Sequence, residues 1–91
     1  MTLNEMVSKY ISSAEHVFKH LEVAERPITL DFSHVSNVID FAKAYLEDAR
    51  HYREKKKFEV SLTSIAYCEG LLDALRLLGA VRFEWPAAKT E

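Results

Sequence analysis

Between Leu3 and Ala24 the apolar residues Leu3, Val7, Tyr10, Ala14, Val17, Leu21 and Ala24 recur in alternating steps of four and three, with Met6, Ile11 and Phe18 widening the stripe. This spacing predicts an amphipathic helix with a coiled-coil-like seam. Thr2, with Glu5 three residues on, offers a capping box at its start. Pro27 cannot continue a helix and pushes Arg26 toward extended backbone, so the element is expected to end near Glu25. Ile28, Leu30 and Phe32 then alternate with Thr29 and Asp31, which suggests a short extended connection. Asp31 or Ser33 is placed to cap a second helix, whose stripe is Val35, Val38, Ile39, Ala42, Tyr45, Leu46, Ala49 and Tyr52.

After Lys55, Lys56 and Lys57, a third stripe runs through Phe58, Leu62, Ile65, Ala66, Leu72, Leu75 and Leu78, and Gly79 supplies a left-handed residue to close it. This helix differs in kind from the others. At 100° per residue Val60, Tyr67, Leu71, Ala74 and Leu78 form a second apolar strip roughly opposite the first, and a helix apolar nearly all round is expected to be covered on more than one side. Val81, Phe83 and Trp85 alternate with Arg82 and Glu84 before Pro86, the pattern of an extended arm folding back with three apolar groups on one face. The expected fold is therefore all-α, an up-and-down antiparallel three-helix bundle with helices at about 3–25, 33–54 and 58–78 and a short extended C-terminal arm at 80–91, in a single domain.

Composition narrows this further. Only 2 Gly and 2 Pro in 91 residues cannot furnish the turns of a sandwich or barrel. One Cys allows no internal disulfide and no Cys-rich zinc module, which fits a reducing, cytoplasmic setting. A net charge of -2 supplies no global attraction to nucleic acid or anionic membrane. There is no apolar run long enough to span a bilayer, and the amino terminus lacks the pattern of a secretion signal.

Two segments carry a resemblance. FAKAYLEDARHY at 41–52 and SIAYCEGLLDALRLLG at 64–79 resemble the short archaeal proteins grouped as domain of unknown function family 357. Tyr45, Asp48 and Ala49 match its Tyr-x-x-Asp-Ala pattern, and Tyr67, Gly70, Leu72, Asp73, Leu78 and Gly79 match its Tyr-Ala-x-Gly-x-Leu-Asp helix ending at Leu-Gly, with Cys68 where Ala is more usual. The resemblance implies an archaeal source and a small helical bundle. It transfers no catalytic role, since the family has no established activity.

Several residue sets could carry chemistry, and each has a plainer reading. Glu69 and Asp73, four apart on one helical face, could hold a cation, or could simply face solvent or pair with Arg76. His16 and His20 have the i, i+4 spacing of two zinc ligands, but on a solvated face with no third ligand nearby. Arg50, Arg53, Lys55, Lys56 and Lys57, opposed by Glu54 alone, could track phosphates beside Tyr52 and Phe58, or merely solvate a turn. Cys68 has no adjacent activating group and reads as a small core residue. No phosphate-binding Gly-rich loop or Gly-flanked nucleophilic Ser occurs.

These readings favour a non-enzymatic protein-interaction or self-association module. It would need no cofactor and would form a homodimer through Tyr67, Leu71, Leu78, Val81, Phe83 and Trp85, with an unidentified protein partner as a further option. A helical nucleotide- or RNA-binding module is the alternative. The chain resembles small helical nucleotidyltransferase-partner and ribonuclease domains in its long paired helices and its Tyr-x-x-Gly kernel at 67–70. It departs from them in lacking an Arg followed four to six residues later by His. A carboxylate metal-binding protein, resting on Glu69 and Asp73, is a second alternative.

Overall fold

A computed structural model describes residues 1–87. Within them the chain is all-α, with three helices and no strand: α1 (Leu3–His20), α2 (Phe32–Glu54) and α3 (Phe58–Leu77). Residues 88–91 of the expected arm lie outside the described residues.

The helix ends follow local chemistry. Thr2 Oγ1 accepts from the Glu5 N–H at 3.1 Å. Asp31 Oδ1 accepts from the His34 N–H at 3.1 Å and from the Ser33 hydroxyl at 2.7 Å, while His34 Nδ1 accepts from the Asp31 N–H, closing a capping box with His in the place usually held by Glu. These donors, the Ser33 hydroxyl first and the His34 N–H next, hold the Asp31 carboxyl below its ordinary value of 3.8. At the far end of α3, Gly79 takes φ +79°. The Ala80 N–H bonds Leu75 O at 2.9 Å and the Gly79 N–H bonds Arg76 O at 3.0 Å, the paired bonds of a Schellman cap.

α2 and α3 form a tightly packed antiparallel hairpin, joined by the turn at 55–57. Among the described residues Ala42 and Ala49 of α2 and Cys68 and Leu75 of α3 are the buried ones, and the small Ala42, Ala49 and Cys68 let the two backbones approach. Two contacts fix the register: Ser61 Oγ donates to the Ala49 carbonyl at 2.7 Å, and the rings of Tyr45 and Tyr67 stack with centroids 4.4 Å apart.

The α1 helix stands apart. Among the described residues it packs against neither α2 nor α3, and none of its residues is buried. It also ends at His20, short of the expected Glu25, because Leu21 turns to extended backbone (φ -64°, ψ 132°). Pro27 cannot be part of a continuing helix and disfavours helical backbone at Arg26. The overall dimensions record this separation. The radius of gyration is 15.8 Å, against about 12 Å for a compact domain of this length.

Candidate functional site

The two flanks of α3 beside its α2-facing side are unlike each other. With buried Cys68 as the centre of that side, Leu62, Glu69, Asp73 and Arg76 lie about 80–140° round the helix in one direction, and Val60, Tyr67, Leu71, Ala74 and Leu78 about 60–120° in the other.

The first flank takes the C-terminal arm. Val81, Phe83 and Trp85 are half-buried and Arg82 and Glu84 exposed, the alternation expected of an extended strand-like arm. Trp85 Nε1 donates to Asp73 Oδ1 at 2.8 Å. The same oxygen accepts from Arg76 Nη2 at 3.1 Å, and the Arg76 guanidinium sits 5.7 Å from the centre of the Phe83 ring. Phe83 in turn meets Trp85 edge to face at 5.0 Å. Asp73 is thus the anchor of the arm. Glu69 lies half-buried one turn before it, and among the described residues no group of three or more His, Cys, Asp or Glu is gathered as a metal would require.

Beyond the arm, the same side of the hairpin opens into a groove of about 380 Å³. It is lined by Leu46, Ala49, Phe58, Leu62 and Ile65 together with Ser61, Arg50 and Arg53. Arg50 is paired with Glu47. Lys55, Lys56 and Lys57 are all exposed in the adjoining turn. The basic set is therefore split: two arginines border an apolar groove and three lysines cap the hairpin tip.

The second flank has no such cover. Tyr67 is 55% and Leu78 67% exposed, Val60 and Ala74 are exposed, and Leu71 is half-buried. The helix is thus covered on two sides, by α2 and by the arm, and the Val60–Leu78 strip is not one of them. The arm reaches the side on which Asp73 can accept the indole N–H and leaves the strip opposite it open. Of the residues singled out for an interface, Tyr67, Leu71 and Leu78 lie together on this strip, whereas Val81, Phe83 and Trp85 lie across the helix against their own chain. Tyr45 belongs beside Tyr67 and was not singled out. The signal was present, since both tyrosines fall on the edges of stripes that face each other in an antiparallel hairpin.

The remaining candidates stay dispersed. His16 and His20 approach to 4.5 Å between ring centroids on exposed α1. Burial, and secondly the charge of Glu69, pushes the Cys68 thiol above its ordinary value of 9.0, away from the thiolate a nucleophile needs.

No curated protein and no solved structure matches the chain. A family model, described as a protein of unknown function (DUF357), matches residues 9–81. That span runs from within α1 through the end-cap of α3, including both tyrosines, Asp73 and Gly79, and the chain belongs to the DUF357 family.

Proposed function

We propose that the protein acts without catalysis, as a self-association module in the cytoplasm, and that the open flank of α3 is its contact surface. One observation carries the reading: the strip from Val60 to Leu78 is apolar and exposed although an arm is available that could have covered it, and that arm is spent on the opposite flank. Burial of such a strip is favourable by about 25 cal/mol for each Å² removed from water. The perturbed groups support the same reading. The Asp31 shift belongs to a helix cap, and the Cys68 shift makes the thiol less reactive.

Sedimentation at micromolar concentration tests the proposal. The expected species has twice the 10.5 kDa chain mass, and Tyr67→Glu or Leu78→Glu returns it to a single chain while circular dichroism keeps its helical signal. A wild-type protein sedimenting as one chain throughout overturns it.

A second reading, nucleotide or RNA contact, draws on the groove that Arg50 and Arg53 help to line beside the lysine tip. Titration with a short RNA at low and high salt tests it, because binding through phosphates must weaken as salt rises.

A further inference from the structure

Two apolar surfaces in this chain lack cover, and they match. The α1 stripe presents Leu3, Val7, Tyr10, Ile11, Val17 and Phe18, all exposed. The helix is 18 residues long, about 27 Å at 1.5 Å per residue, and the α3 strip from Val60 to Leu78 spans about the same length. A helix of this size with a single Ala draws most of its stability from packing an amphipathic face rather than from propensity, so α1 needs a surface to lie on.

In the structure α1 packs on neither helix of its own hairpin, so that surface is taken to be another chain's. Helices that pack as neighbours have axes about 8–10 Å apart and are joined in bundles by about 2–8 residues. Here Leu21 to Asp31 are all exposed, starting extended at Leu21 and ending extended at Asp31. Such a segment can reach roughly 36 Å, enough to carry α1 to another molecule. The area agrees. The chain exposes 8125 Å² where a compact chain of this mass exposes about 5,400 Å², an excess of about 2,700 Å². A standard interface takes about 800 Å² from each partner, so the excess suffices for a reciprocal contact in which each chain gives one helix and receives one.

We propose that two copies exchange α1: the apolar stripe of each α1 seats on the Val60–Leu78 flank of the other chain's hairpin, so that a symmetric dimer contains two three-helix bundles, each completed by its partner. This rests on the self-association reading and adds which segment makes the contact. Exchange of identical elements closes under twofold symmetry and leaves neither strip open.

The test is isotope-filtered NMR on full-length chains, one methyl-labelled and one unlabelled, unfolded together and refolded at equal concentration. The expected result is a set of contacts between chains joining methyls of Leu3, Val7, Ile11 or Val17 to methyls of Val60, Leu71 or Leu78. A dimer whose between-chain contacts omit α1 overturns the exchange while leaving self-association standing; a single-chain species overturns both. As an independent measurement, Ile11→Glu should weaken the dimer at least about tenfold, the equivalent of losing one buried aliphatic side chain. An unchanged dissociation constant for that variant overturns the exchange.

Discussion

Trp85 Nε1 donates to Asp73 Oδ1 at 2.8 Å across twelve residues, so the last of the arm's three alternating apolar residues is tied to a carboxylate that also receives Arg76. Asp73 lies on one flank of α3 only, and the bond ties the arm to that side of the helix, where Arg76 also meets Phe83. The flank that self-association would use is the one opposite, which the arm leaves open.

Asp73→Ala removes the acceptor shared by the indole and the guanidinium. The ion pair is well exposed and contributes little, and the indole bond contributes about 1 kcal/mol. The expected loss is a fall in melting temperature of about 4–8 °C. Trp85 is the only tryptophan, so its emission should shift to the red as the arm loosens. An unshifted spectrum would show that the arm is held by Val81 and Phe83 without the bond.

Leu75 is 4% exposed whereas Leu72 is half-buried. Leu75→Ala should therefore leave a cavity in the hairpin core and cost about 2–5 kcal/mol, and Leu72→Ala roughly half as much. Chemical denaturation of the two variants side by side checks the order. The reverse order would turn the α2-facing side of α3 by about 60°, toward Leu72.

How far sequence reaches is clearest at these positions. The periodicity locates all three helices, and the alternation of Val81, Phe83 and Trp85 identifies the arm, because apolar spacing reports local geometry directly. It does not say that α1 is unpacked. Its stripe would look the same whether it lay on its own hairpin, on a partner, or on nothing, since an amphipathic face records that a contact is needed and not which surface supplies it. The destination of the arm was hidden for a related reason. Asp73 reads as one of two candidate ligands with Glu69, and only the fold brings the indole to it.

Asp31 makes the stability of α2 dependent on acid. Its folded pKa lies below the ordinary value because the Ser33 hydroxyl and the His34 N–H stabilise the charged form. A group so depressed contributes stability that is present above the unfolded pKa, near 3.8, and is lost as pH falls through the folded value. Melting curves between about pH 2 and 5 should thus show a declining limb that Asp31→Asn flattens while retaining a capping side chain. An unaltered limb in that variant would assign the acid sensitivity to another carboxylate.

The hairpin tip supplies the most pointed test of the backbone. Lys56 has φ +60°, and its surroundings repeat those of Gly79 bond for bond. The Lys57 N–H reaches Tyr52 O at 2.9 Å and the Lys56 N–H reaches Arg53 O at 3.0 Å, as Ala80 and Gly79 reach Leu75 and Arg76. The same Schellman cap is therefore filled once by the residue that suits it and once by a residue whose Cβ crowds the backbone at a cost of roughly 1–2 kcal/mol. Lys56→Gly removes that crowding and gives back part of the gain through the greater freedom of Gly in the unfolded chain. A net stabilisation of about 0.5–1 kcal/mol should remain, visible as a rise of a few degrees in melting temperature. Removing the charge is not what matters, so Lys56→Ala, which keeps the Cβ, should show no comparable rise. If Ala and Gly stabilise equally, relief of repulsion among Lys55, Lys56 and Lys57 explains the effect, and the left-handed cap at Lys56 is wrong.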